Sequence, residues 1–361
     1  MKILYIITGL RYGGAEKLLY LTCKYLRAVY NAEIRVIYFD PYAPMRSLFA
    51  ELNIETELIR LDLMLLPSLM KRMRCGDYDI IHTHLIHADI FGRVAALLTA
   101  NKKKHSIFST VHDLAEFRWK ESVYFSFIRK IDCWLTKPER CHIIAISKSV
   151  EILLIHKQNF NPDKITVLYN AIEVNPSSQF KPSNKTVICL YLGRLVKEKN
   201  IPCLLNALAI LHSPNLVLNI VGEGEEESSL KQMVDDLDLD RYVHFYPATL
   251  DVELYYKESD IFILPSSYEG LGIVILEAFS NCLPVIGSNV HGISELLADG
   301  RGLLFQNNNA QELAEKIDML IKDPQKRIYF GRRGYEYVKV HHDIHDYVHK
   351  LQLLYSKCML K

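Results

Sequence analysis

Two glutamates eight residues apart, Glu269 and Glu277, close the run Glu-Gly-Leu-Gly-Ile-Val-Ile-Leu-Glu. Were the run fully helical, eight residues would set the carboxylates about 12 Å apart along the axis and about 80° apart around it. That is too far for two carboxylates to share a proton or a metal. It suits a long ligand with polar groups at both ends. The alternative for each glutamate taken alone is a helix cap and a surface residue.

Four further groups of residues could carry chemistry. In Gly193-Arg194-Leu-Val-Lys197-Glu198-Lys199-Asn200 a strand ends and a helix begins. Arginine clamps phosphate oxygens through two N–H groups, and lysine adds a point charge. Cations at a helix N-terminus are disfavoured unless an anion faces them. Arg194 and Lys199 therefore point to an anionic ligand, while Lys197 reads as solvent-facing. The turn Gly9-Leu-Arg-Tyr-Gly13-Gly14 lets backbone N–H groups approach a phosphate at a helix start, although such turns also carry glycine for packing alone. His112 follows a buried strand, where a lone histidine is more often structural than functional. His82 and His84 alternate onto one strand face, a spacing compatible with a metal. No third ligand of clear geometry accompanies them, and Asp77-Tyr-Asp79 reads as a cap or turn, so no metal is expected.

These residues need a scaffold, and the chain supplies a regular one. Short β-branched runs at 2–8, 33–39, 79–83, 106–111, 142–146 and 164–169 alternate with amphipathic stretches. That is the βαβ rhythm of a parallel sheet. Residues 171–185, with two prolines and three serines, break it and read as a linker. The rhythm resumes at 186–192, 216–221, 242–246, 260–264 and 284–287. Asp260 to Glu269 reads as a strand entering a polar loop, and Gly270 to Asn281 as the helix after it. Ligand sites of open α/β sheets lie at such strand ends. The expected organisation is an α/β pair of Rossmann-like domains over 1–170 and 186–340. A final helix over 341–361 places Tyr347, Leu351, Leu354 and Tyr355 on one face.

Composition narrows the function classes. The chain has 361 residues, 49% of them hydrophobic, enough for two cores. Net charge is +1, with 24 Lys and Arg against 18 Asp and Glu in residues 1–180, and 19 against 24 beyond. That balance, with no recognisable module, argues against nucleic acid. The eight cysteines form no C-x-x-C pair and no paired framework, so a reducing cytoplasm is expected. No apolar run is long enough to span a bilayer. Peripheral contact with an anionic membrane rests on Leu63 to Arg74 and on Phe117 to Trp134, which mix apolar and basic residues but also read as ordinary packing helices.

The pattern as a whole resembles the retaining glycosyltransferases of family 4, which carry an E-x7-E motif and the GT-B fold. The resemblance runs over most of the chain. It implies two domains facing a central cleft, with the last helix crossing back to the N-terminal domain. It also implies transfer of a hexose from a nucleoside-diphosphate sugar, UDP favoured over GDP, to a saccharide or lipid-linked acceptor, with no cofactor and no metal. Carried over residue by residue, His112 and Glu269 position the sugar, and Glu277 holds the ribose. Arg194 and Lys199 neutralise the departing diphosphate. Gly13, Gly14, Gly222, Gly270, Leu271 and Gly272 complete the donor site. Departures from the family pattern are Phe245-Tyr246-Pro247, where a glycine is common, and His291-Gly292, where two glycines are common. Two other readings remain open: a GT-B-type nucleotide-sugar epimerase, and a non-catalytic sugar-nucleotide-binding subunit.

Overall fold

Ile3 to Ile7 are all fully buried, so the first strand is covered on both faces, as parallel sheets flanked by helices require. In the computed structural model, which describes residues 1–99, 105–112, 130–175 and 186–359, the chain forms two units. One comprises Met1–Asn170 with Ile344–Lys361, the other Ala171–Asp343.

The first unit holds a parallel sheet of β1 (Lys2–Ile7), β2 (Glu33–Tyr38), β3 (Glu55–Leu58), β4 (Ile80–His84), β5 (Ser106–Val111), β6 (Cys141–Ala145) and β7 (Ile165–Val167). Their spatial order is β3-β2-β1-β4-β5-β6-β7. The second unit holds β8 (Val187–Leu192), β9 (Leu216–Val221), β10 (Val243–Tyr246), β11 (Ile261–Leu264), β12 (Val285–Ser288) and β13 (Leu303–Phe305), in the order β10-β9-β8-β11-β12-β13. In each sheet the order reverses at one place, between β1 and β4 and between β8 and β11. Crevices open outside the carboxyl ends of strands at such reversals.

β3 and β13 were not legible in the sequence. β3 is an edge strand whose Glu55 and Glu57 pair with Arg35 at 2.5 and 2.9 Å, so it lacks the apolar run of a buried strand. β13 has only three residues. Ala171 to Asn175 lie in the second unit, where Ile172 bridges Asp343; residues 176–185 of the expected linker lie outside the described residues.

The helix Pro324–His341 ends the second unit, and the next, Ile344–Met359, packs in the first. It buries Tyr347, Val348, Leu351 and Tyr355, while Leu354 is only partly buried. On the face of β4 that carries Thr83, Thr83 Oγ1 donates to Asp89 Oδ1 at 2.6 Å. Nearby, the buried Arg93 pairs with Asp132. The helix Leu65–Gly76 buries Leu65, Leu69 and Met73 and leaves Leu63 beside it almost fully exposed. Residues 117–129 of the other suggested membrane segment lie outside the described residues. Among the described residues no helix is long and apolar enough to cross a membrane.

Candidate active site

In the second unit the loops leaving β8 and β11 stand on either side of the strand-order reversal, and each contributes one charge. Lys199 Nζ, after β8, donates to Glu269 Oε1, after β11. The two side chains are only 16% and 14% exposed, so the pair is held largely away from water. Ser266 Oγ donates to the same carboxylate oxygen at 3.1 Å, and Ser288 Oγ fixes the Ser266 carbonyl at 2.5 Å. Backbone bonding ties the two loops together as well, since Ser267 N–H donates to the Glu198 carbonyl at 2.8 Å.

The helix of the E-x7-E run is shorter than its sequence suggests. It spans Ile273–Ser280, and its N-cap is Gly272 at φ 88°, a left-handed conformation that favours glycine. Gly270 and Leu271 therefore belong to the loop. Glu269 does not cap the helix, and Glu277 is not a surface residue. Glu277 is 7% exposed, and its Oε2 accepts from Tyr256 O–H at 2.8 Å. Tyr256 is itself buried, which with the carboxylate beside it holds its phenol well above the usual range.

Arg194 is exposed, with Glu198 3.9 Å away, and Tyr191 O–H fixes its turn by donating to the Arg194 carbonyl at 2.9 Å. Lys197 is exposed, as expected. Gly222 packs on this turn, since a Cβ there would lie 1.9 Å from the Gly193 carbonyl oxygen.

Gly292, at φ 81°, sits under the Glu269 loop; a Cβ there would come 2.5 Å from the Glu269 carbonyl oxygen and 2.9 Å from Gly270. The His291-Gly292 turn thus sets the height of that loop. Gly292→Ala is expected to cost about 2 kcal/mol through backbone strain and overpacking. Thermal unfolding of the variant measures it, and an unchanged melting temperature would mean that the loop yields.

The first unit gathers its candidates at the other reversal. Gly13 is the N-cap of the helix Gly14–Tyr30, and a Cβ on it would meet Glu16 Oε2 at 2.2 Å. The chain's own carboxylate thus lies against Gly13 at the positive end of this helix, so the turn is less open to a phosphate than its glycines suggest. His84 ends β4 and His112 follows β5, with His84 Nδ1 2.9 Å from His112 Nε2. His82 lies stacked on His84, ring centroids 4.4 Å apart. Its Nδ1 meets Tyr355 Oη and its Nε2 meets Thr110 Oγ1 at 2.8 Å. Burial pushes His82 and His112 down to about 3 and His84 well below its usual range, so all three are neutral near pH 7. His82 and His84 are thus engaged as ring-to-hydroxyl and ring-to-ring partners.

Ser266, Tyr256, Gly292 and Tyr355 were not assigned from the sequence. Ser266 and Gly292 had a signal, standing in motifs singled out for other residues. Tyr355 stood on the apolar face of the last helix, a signal for packing and not for a site, and Tyr256 had no signal that spacing could carry.

The comparisons agree with this architecture. Residues 12–175 match the family model described as Glycosyltransferase Family 4, and residues 173–337 that described as Glycosyl transferases group 1. An uncharacterized glycosyltransferase of Haemophilus influenzae is 35% identical over 203 residues, covering 55% of this chain and 56% of its own length. The UDP-Gal:alpha-D-GlcNAc-diphosphoundecaprenol alpha-1,3-galactosyltransferase of Escherichia coli is 29% identical over 291 residues, 73% of this chain and 71% of that protein. The crystal structure of Anabaena HepE in complex with UDP-glucose aligns with a TM-score of 0.88 at 22% identity, covering 99% of this chain and 100% of that one. Two Rossmann-like units on parallel sheets, with charged groups at the reversal of the second, define the GT-B architecture. With both halves matched, this chain belongs to the GT-B glycosyltransferases.

Proposed function

We propose that this chain is a retaining, metal-independent hexosyltransferase. It moves a sugar from a nucleoside diphosphate, with UDP favoured, to a hydroxyl of a saccharide or lipid-linked acceptor in cell-surface glycan assembly. The observation that carries the reading is the Lys199–Glu269 pair at the carboxyl ends of β8 and β11. A largely buried cation, with an exposed arginine earlier in the same segment after β8, at the place where such sheets bind ligands, suits a diphosphate. The relatives support the donor and acceptor classes: one is crystallised with UDP-glucose, and another is named for a lipid-linked diphosphate acceptor.

In this reading Arg194 and Lys199 take the diphosphate, Glu269 holds the hexose, and Glu277, steadied by Tyr256, holds the ribose. Gly222 and Gly270 to Gly272 let the backbone approach the donor. His112 positions the sugar, and the Gly13-Gly14 turn takes phosphate only where the Glu16 carboxylate swings away from it. As the bond from the anomeric carbon to the phosphate oxygen breaks, Arg194 and Lys199 stabilise the charge growing on the diphosphate. The acceptor hydroxyl forms its bond on the same face and gives its proton to the departing phosphate, which accounts for retention. Two cations do here what a divalent metal does elsewhere. The enzyme works in the cytoplasm, where nucleotide sugars are available, with lipid-linked acceptors met at the membrane surface.

Thermal unfolding with UDP or GDP, each with and without chelator, tests the donor site. A nucleotide at 100 times its dissociation constant adds about 2.7 kcal/mol, a rise of several degrees. Stabilisation by UDP that survives chelator is expected. Stabilisation that chelator abolishes would sink metal independence, and none from either nucleotide would sink the donor site. Donor turnover without acceptor, giving an epimerised sugar, would replace transfer by epimerisation.

A further inference from the structure

Among the described residues, Nε2 of His84 is buried and has no hydrogen-bond partner. This single orphan decides how the protons on two rings are arranged. His84 Nδ1 and His112 Nε2 lie 2.9 Å apart and share one hydrogen. If His112 donated it, His84 would carry its own proton on Nε2, a buried N–H with no acceptor. If His84 donates it, Nε2 is left as a bare lone pair, and no N–H is stranded. Buried donors without acceptors are the rarer defect in folded proteins. The second arrangement requires His112 to carry its proton on Nδ1, since the hydrogen bond at one ring nitrogen sets what the other bears.

We propose that His84 is a positioning residue that fixes His112 as its Nδ1–H tautomer, so that His112 meets its ligand as a hydrogen-bond donor and not as a base. The proposal rests on the reading of His112 as a donor-site residue. His112 suits it, because the residue is not fully buried and its Nδ1 makes no hydrogen bond among the described residues. A donor at that nitrogen fits an oxygen of the sugar or of its phosphate.

Further residues hold His84 in place. His82 covers its ring face at 4.4 Å. His82 is in turn pinned at both nitrogens, by Thr110 on β5 and by Tyr355 of the helix Ile344–Met359. Tyr355 Oη lies 3.0 Å from Tyr5 Oη on β1, which closes the chain of contacts. Both directions of hydrogen bonding along Tyr5, Tyr355, His82 and Thr110 leave His82 neutral with every polar atom engaged. The last helix thus anchors the ring stack from outside the strands that carry it.

The test is the 15N and C–H correlation spectrum of the full chain labelled at histidine, with the His112 signal identified by its loss in His112→Gln. At pH 7.5 the expected pattern is a neutral ring with a protonated Nδ1. His84→Phe is expected to shift His112 toward the other tautomer and to lower kcat for sugar transfer by 10- to 100-fold, with KM for the donor changed less. In His84→Asn a side-chain amide N–H takes the place of Nδ1–H, so tautomer and most activity return. A wild-type ring protonated at Nε2, or at both nitrogens, would overturn the proposal, and so would an unchanged His112 signal in His84→Phe. The wild-type spectrum decides even where that variant fails to fold. If the tautomer is as proposed but His112→Gln transfers sugar normally, the positioning stands and the role of His112 falls.

Discussion

Lys199→Ala is expected to lower sugar transfer by about a thousandfold, about 4 kcal/mol of transition-state stabilisation, the scale of losing one preorganised charged donor. Glu269→Gln is expected to lose transfer to a similar degree, but the two should differ in nucleotide binding. Lys199 is held by Glu269, and Ser266 touches the same oxygen. A diphosphate must compete with that carboxylate for the lysine. Glu269→Gln removes the competitor while keeping a polar side chain of the same size, so UDP should bind as tightly as in the wild type or more tightly. Lys199→Ala instead weakens UDP and leaves Glu269 largely buried without its cation. Its stability should therefore fall by about 1–3 kcal/mol, and Lys199→Ala/Glu269→Gln should recover part of that loss. Calorimetric titration with UDP, transfer assays and thermal unfolding of the three variants measure these effects. Weaker UDP binding in Glu269→Gln would show that Glu269 helps to hold the nucleotide and does not compete with it.

Where the sequence was legible, the signal was local. The strand rhythm stands out because a strand buried on both faces reads as a short apolar run, and the turns at Gly193 and Gly272 announce themselves by residue type. Glu269 and Lys199 were legible as site candidates for the same reason, each standing in a short motif at a strand end. Their pairing across 70 residues was not written in either motif. The Tyr256–Glu277 contact spans 21 residues and the His82–Tyr355 contact 273. Spacing along a chain cannot report such contacts, because they depend on which elements the fold sets side by side. The boundary of the Ile273–Ser280 helix was missed for a related reason. Its first turn is displaced by Gly272, whose left-handed backbone has no counterpart in the apolar periodicity around it.

The same buried histidines make the first unit acid-labile. His82 titrates near 3 in the folded chain because burial penalises its charge, and near 6.5 when unfolded. The unfolded chain therefore binds the extra proton, and the stability contributed by the neutral ring is complete above 6.5 and lost as pH falls from there toward 3. His84 has the same sign, and His105, held near 4 by burial and Arg140, follows it. Between pH 7.5 and 5.5 His82 and His105 each cost roughly 1 kcal/mol, and His84 adds to the loss. His112, held near 3 by burial, adds a loss of the same size as that of His82. Asp89 opposes them. Burial raises it to about 7, so the folded chain keeps its proton where the unfolded chain has released it, and stability gains about 2 kcal/mol over the same interval. The net expectation is a loss of roughly 3 kcal/mol between pH 7.5 and 5.5. Both tryptophans, Trp119 and Trp134, lie within residues 1–170, so urea unfolding followed by tryptophan fluorescence reports this part of the chain. Asp89→Asn removes the opposing group and should deepen the loss by about 2 kcal/mol. Stability that holds or rises between pH 7.5 and 5.5 in both proteins would mean that the histidines are charged in the fold, which would also remove the neutral His84–His112 pair.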